Sequence, residues 1–244
     1  MKSTKTAGII IIGNEILSGK VQDINSFYLA CELRKLGVDV KRISVIPDEI
    51  DIIGREAVEF SEKYDYVFTS GGVGPTHDDV TMAGIAKGFG LNLIKNDAIK
   101  NILYSRYKDL INSAVLKMTE VPEGSEIDFR EEMRFPVVSF KNIFIFPGIP
   151  EYLKNKFSII KEKFRSPAFY LKRIYLNCHE SNIAEILNAV VKEYEDVTFG
   201  SYPVLGKPGF RVIVTAEAKS EEPLTTALDE LISRLPDDLI VRVE

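Results

Sequence analysis

Apolar positions along the chain change period several times, and each change marks an element. Ala7 to Ile12 is apolar throughout, which predicts a strand buried on both faces, as in the parallel sheet of an α/β domain. Ile24, Phe27, Tyr28, Cys31 and Leu36 then recur near helical spacing. Asp23 suits the cap of that helix and Gly37 its stop. Val38 to Ile46 alternates as a second strand and halts at Pro47. Glu49 to Lys63 reads as a helix, and Tyr66 to Thr69 as a short buried strand. Ser70 to Thr81 is glycine-rich and opens a further helix, beginning near Thr76 to Asp79 and reaching about Phe89. Such alternation of strand and helix predicts parallel strands in a three-layer α/β/α fold with a mostly parallel sheet.

Asn96 to Ile111 reads as another helix, and residues 113–148 change character. Short β-like pieces occur around Phe135 to Phe140 and Ile143 to Phe146, followed by PGIP (Pro147 to Pro150) and a helix from about Glu151 to Phe164. Ser166 and Pro167 mark a boundary, dividing the chain into domains 1–166 and 167–244. In the second, Leu171 to Asn177, Ser181 to Tyr194, Thr198 to Tyr202, Phe210 to Ala218, Pro223 to Leu235 and Leu239 to Val243 read as β, α, β, β, α, β. That order suits a small α+β unit with helices on one face of a mostly antiparallel sheet.

With 244 residues, 45% hydrophobic and 27% charged, the composition is that of a soluble globular protein. A net charge of −5 argues against a general nucleic-acid surface. Cys31 and Cys178 are too few for a disulfide framework and form no metal-type pair, so reduced thiols in a cytoplasm are expected. The run from Ala7 is too short to span a bilayer and lacks a signal-peptide cleavage site. No membrane partner is expected.

Two glycine stretches invite a nucleotide reading. GNEILSGK, Gly13 to Lys20, has five residues between its glycines and Val21 after the lysine, which excludes a Walker A loop. Lys20 is open to phosphate contact or to plain solvation. SGGVGPTHDD, Ser70 to Asp79, follows a buried strand, where ligands bind in open α/β sheets. Gly71, Gly72 and Gly74 allow backbone to approach a ligand, but the third glycine of a dinucleotide fingerprint is missing. One reading makes this a tight turn in which Thr76, Asp78 and Asp79 cap a helix. The other starts from charge: a phosphate beside two aspartates at 4 Å meets repulsion of about 4 kcal/mol near a surface. A divalent metal bridging carboxylate and phosphate oxygens would remove that conflict, and Glu15 would supply a third carboxylate. His77 reads as a hydrogen-bonded turn residue, with proton transfer or base stacking left open. His179 beside Cys178 reads as structural, since one such pair cannot close a zinc site. No Gly-x-Ser-x-Gly element suggests a serine hydrolase.

GNEILSGKVQDINSFYLACELRKLGVDV, SVIPDEI, SGGVGPTHDDVT and FPGIPEYL occur in that order. Together they resemble the molybdopterin-binding-like domain shared by molybdenum cofactor biosynthesis proteins and the CinA family. RFPVVSFKNIFIFPGIPE around Arg134 to Glu151, and GSYP at Gly200 to Pro203, resemble the N-terminal domain of eukaryotic FAD synthases. The resemblance implies a three-layer core followed by a small unit described in CinA relatives as KH-like. The Gly206 to Gly209 spacing falls between predicted strands, so RNA binding is not carried over. It also implies metal-dependent cleavage of FAD or ADP-ribose to AMP and a second phosphate. The alternative is a molybdopterin- or nucleotide-binding protein, or a regulatory subunit, without turnover. By resemblance, Gly71, Gly72, Gly74 and Thr76 lie along nucleotide or pterin phosphates, and Asp78 and Asp79 hold metal or orient water, with Glu15 as a further metal ligand. Gly13, Asn14, Asp23, Asn25, Asp48 and His77 line the same cleft, and Pro147, Gly148 and Pro150 its far wall. The expected cofactor is a divalent cation, Mg2+ or similar, with a monovalent cation as a second expectation. Self-association is expected as well. Many relatives have Gly-Asp-Glu where this chain has Gly13-Asn14-Glu15, so one charge is missing. A length of 244 residues leaves no room for the amidase domain of longer CinA proteins or the adenylyl-transfer domain of FAD synthases.

Overall fold

The computed structural model describes residues 4–108, 111–130, 133, 135–206 and 209–244. Residues 109 and 110 at the end of one expected helix, Arg134, and the Lys207–Pro208 pair between Gly206 and Gly209 lie outside them. Two compact units appear, Met1–Ser166 and Pro167–Glu244.

The isoleucine run of the first unit is explained by its position. β1 (Thr6–Ile12) lies between β2 (Asp39–Ile46) and β3 (Tyr66–Ser70) and runs parallel to both. Helices cover each face, so both sets of alternating side chains are buried. Ala7, Ile9 and Ile11 pack with Leu29, Leu33, Phe68, Leu153 and Phe157, while Ile10 and Ile12 pack with Ile53, Phe60 and Ile85. Ile9 to Ile12 are each at most 3% exposed, which contributes roughly 6–12 kcal/mol of gross burial for the four. No polar residue fits either phase of such a strand.

Between β1 and β2 come α1 (Asn14–Leu17) and α2 (Asn25–Lys35), and α3 (Ile50–Lys63) precedes β3. After β3 follow α4 (Thr81–Gly88), β4 (Leu93–Lys95), α5 (Asp97–Tyr107), α6 (Ser113–Lys117), β5 (Glu120–Pro122), β6 (Glu126–Asp128), β7 (Val137–Phe140), β8 (Ile143–Phe146) and α7 (Pro150–Ile160). The six-stranded sheet runs β2-β1-β3-β8-β7-β6. Its first four strands are parallel, and β7 and β6 turn antiparallel. The three-layer α/β architecture read from the sequence is therefore present. β4 and β5 form a separate two-stranded pair; at three residues each they are too short for alternation to reveal.

α3 and α4 meet backbone to backbone. A Cβ built on Gly88 would lie 2.4 Å from the Gly54 carbonyl oxygen, and one on Gly54 would lie 2.8 Å from that of Gly84. These glycines lock α4 in place, and with it the loop that precedes it. The sequence placed the start of this helix near Thr76 to Asp79; it starts at Thr81, with no acid in its first turn. The correction has a local cause. Thr81 is buried, its N–H donating to the Gly72 carbonyl (3.0 Å) and its hydroxyl to that of Gly71 (2.8 Å). The aspartates bond back onto Thr76 instead.

The second unit carries β9 (Tyr170–Leu176), α8 (Ala184–Glu193), β10 (Thr198–Pro203), β11 (Val212–Ala218), α9 (Glu221–Arg234) and β12 (Ile240–Val243). Its antiparallel sheet has the order β10-β11-β9-β12. Along β11, Val212, Val214, Ala216 and Ala218 alternate into a core shared with Val190 of α8 and Leu224, Leu228 and Leu231 of α9. One face is thus covered by both helices, as the α+β pattern predicts. No helix among the described residues is long and apolar enough to cross a membrane.

Candidate functional site

Four parallel strands point their carboxyl ends the same way, so the segments leaving them converge. The Gly13 N–H, after β1, donates to the Ile46 carbonyl at the end of β2 (3.1 Å), and the Gly71 N–H, after β3, donates to the Phe146 carbonyl at the end of β8 (3.2 Å). Gly71 has φ +113°, and a Cβ there would lie 2.0 Å from the Ile12 carbonyl oxygen. Only glycine lets the chain leave β3 across the end of β1.

Asn25 fastens the far side. It is 6% exposed, and its Nδ2 donates to the Gly148 carbonyl (2.7 Å) and to the Ser70 hydroxyl oxygen (3.0 Å). That hydroxyl donates in turn to the Pro147 carbonyl (3.2 Å). The Asn25 Oδ1 is buried without a donor among the described residues. Asp23 acts as the expected cap from one residue further back. Its carboxylate accepts the N–H groups of Asn25 (2.9 Å) and Ser26 (3.1 Å) and the Ser26 hydroxyl. Asp48 accepts the Asn14 N–H at 2.8 Å and so ties α1 to the end of β2. Pro150 opens α7, the position where its missing N–H is harmless.

The carboxylates divide into two places. Asp79 accepts the Thr76 N–H at 2.7 Å, and the Thr76 hydroxyl lies within hydrogen-bond reach of both Asp79 and Asp78. The hydroxyl bond holds the Asp78 carboxyl below the usual range. Glu15 instead folds over Gly13, its carboxylate 2.6 Å from where a Gly13 Cβ would be. Among the described residues no group of three or more His, Cys, Asp or Glu is placed to enclose a metal ion. Mg2+ ordinarily takes one or two carboxylates together with phosphate oxygens and water. The Asp78–Asp79 pair fits a cation of that kind, shared with a phosphate, and does not fit an all-protein cage. His77 stands in solvent, its side chain 99% exposed and its Nδ1 3.9 Å from Asp78. His179 faces Arg211 in the second unit, 3.1 Å away.

Two lysines absent from the sequence reading complete the site. A narrow cleft of about 50 Å3 is lined by Gly72, Gly74 and Asp79 on the glycine loop, with Lys117 and Lys156 also on its wall. Lys117, the last residue of α6, donates to the Thr76 carbonyl at 2.6 Å. Lys156 is 6% exposed and donates to the Pro136 carbonyl at 2.8 Å. Burial pulls its pKa down to about 7. Its signal was legible: Leu153, Lys156, Phe157 and Ile160 form one buried stripe at helical spacing, and a lysine on such a stripe is uncommon. Lys117, on a five-residue helix, offered no comparable sign.

Comparison with known proteins agrees with this architecture. The family model described as "probable molybdopterin binding domain" matches residues 8–166, and that of "FAD synthase, middle domain" matches residues 168–244. A protein of Archaeoglobus fulgidus is 37% identical over 94% of this chain and 97% of its own length. A probable FAD synthase of Caenorhabditis elegans is 33% identical over 96% of this chain and 51% of its own; the chain thus spans about half the length of that relative. CinA from Thermoplasma acidophilum superposes with a TM-score of 0.62 at 28% identity, covering 66% of this chain and all of that one. The chain belongs to the molybdopterin-binding-domain family, joined to a unit of the FAD synthase middle-domain type.

Proposed function

We propose that this chain hydrolyses a diphosphate that joins adenosine to a second group, as in FAD or ADP-ribose, and that it does so with a divalent cation. The observation that carries the proposal is the pairing of Asp78 and Asp79 on a glycine loop whose backbone closes one wall of a cleft. One relative is named as a probable FAD synthase, an activity whose product is a dinucleotide of this class. In the proposed reaction a water oxygen bonds to one phosphorus, the bridging P–O bond breaks, and the water's protons end on the two monophosphates. The loop from Gly71 to Gly74, free of side chains except at Val73, lets the diphosphate approach the main chain. Asp78 and Asp79 accept the hydrogen bonds of the attacking water and orient it in line. A bound divalent cation would neutralise phosphate oxygens and lower the pKa of a coordinated water.

Binding of a nucleotide or molybdopterin without turnover is the second reading. It is favoured by the bonds that already engage both aspartates with Thr76 and by the uncharged Asn14. Chromatography of AMP released from FAD and ADP-ribose, with and without Mg2+, separates the two. Cation-dependent AMP release lost in D78N/D79N supports hydrolysis; tight binding with no product in any condition supports the second reading.

A further inference from the structure

Lys156 is the one charged side chain among the buried described residues. An ammonium carries three N–H donors, and among the described residues this one has a single acceptor, the Pro136 carbonyl at 2.8 Å. The Phe135 ring centre lies 5.0 Å away. No carboxylate pairs with it among the described residues, and burial lowers its pKa. The charged residues that share its cleft are Lys117, Asp79 and Glu120. Asp79 is taken up by Thr76, and Lys117 by the Thr76 carbonyl. A buried amine without a counter-charge is costly, and its one bond among the described residues, to the Pro136 carbonyl, leaves most of its donor capacity unused.

We propose that Lys156 is a ligand-binding residue whose two unused N–H bonds receive a phosphate oxyanion lodged beside Gly72 and Gly74, with Lys117 as a second cation on the same cleft. This rests on the diphosphate reading above and adds the element that distinguishes the class of ligand: an anionic phosphoryl group must enter, and an uncharged nucleoside leaves the amine unpaired. An entering anion makes the ammonium favourable again, so binding draws a proton from solution when the pH lies above about 7.

The test is isothermal titration of the full chain with ADP-ribose at pH 8 in two buffers of different ionisation heat, with adenosine as the uncharged control. Wild-type protein should show buffer-dependent heats that report proton uptake. Lys156→Met should bind ADP-ribose at least tenfold more weakly, lose the buffer dependence and bind adenosine as wild type does. Lys156→Arg should recover part of the affinity without the proton uptake, which guards against a misfolded Met variant. Equal affinity and equal proton uptake in wild type and Lys156→Met overturn the proposal whether or not AMP is released. Should wild type not bind ADP-ribose, inorganic phosphate decides: Lys156-dependent phosphate binding keeps the subsite and removes the dinucleotide reading, and no phosphate binding removes both.

Discussion

Replacing Lys156 by Met should make the first unit more stable, and by an amount that depends on pH. In the unfolded chain the lysine titrates near its ordinary 10.5, whereas in the folded protein burial brings it to about 7. Between those values the unfolded state holds a proton that the native state has released, so native stability rises with pH at about 1.4 kcal/mol per pH unit. Below about 7 both states are protonated and the native one carries the full cost of an unpaired buried charge. With half-titration near 7 taken into account, the wild-type protein gains about 2 kcal/mol between pH 7 and pH 9 from this residue alone. Methionine has no such titration and fills a similar volume. The advantage of Lys156→Met over wild type should therefore be largest below pH 7, and about 2 kcal/mol smaller at pH 9 than at pH 7. Urea unfolding followed by circular dichroism at both pH values measures it, and in melting temperature the change is roughly 4–8 °C. A gap that stays the same at pH 7 and pH 9 would refute the reasoning, because it would mean that the amine is solvated or paired in the native state.

Further expectations follow from the carboxyl edge of the sheet. Gly71→Ala places a methyl 2.0 Å from the Ile12 carbonyl at φ +113° and should cost at least about 3 kcal/mol; a thermal melt within 2 °C of wild type would contradict it. Asn25→Ala removes the donors to the buried Ser70 hydroxyl and to the Gly148 carbonyl and should cost about 1–3 kcal/mol, read as a lower urea midpoint. Asp23→Ala should cost about 1 kcal/mol through loss of the cap on α2, read as a lower melting temperature. D78N/D79N touches an exposed loop, so its melting temperature should stay within a few degrees of wild type while AMP release falls by about a hundredfold or more; loss of fold in that variant would show the pair to be structural.

The sheet was legible because its period was legible. Ile9 to Ile12 could satisfy only a strand covered on both faces, and the alternation from Val212 to Ala218 only a strand covered on one. The glycine loop was legible as a strand end, but its helix start was misplaced by two or more residues. Asp78 and Asp79 carry the composition of a helix cap, and nothing local reveals that Thr76 captures them first while Thr81 reaches back to Gly71. Glu15 was grouped with those aspartates on topology, since both follow neighbouring strands. Side-chain direction decides such a grouping, and Glu15 lies against Gly13. Lys117 reaches the loop from α6, 41 residues away in sequence, a long-range contact with no periodic trace.

The clasp of Gly71 and Thr81 has a mechanical consequence. Both feet of the loop are pinned, one against the end of β1 and the other through α4 to the glycine seam with α3, and Val73 and Val80 are rooted in apolar packing. Only the span from Gly74 to Asp79 stands clear, steadied by Lys117. Whatever swings when a ligand arrives is confined to that arch, so the two carboxylates can turn from Thr76 towards a guest while the strands below keep their register.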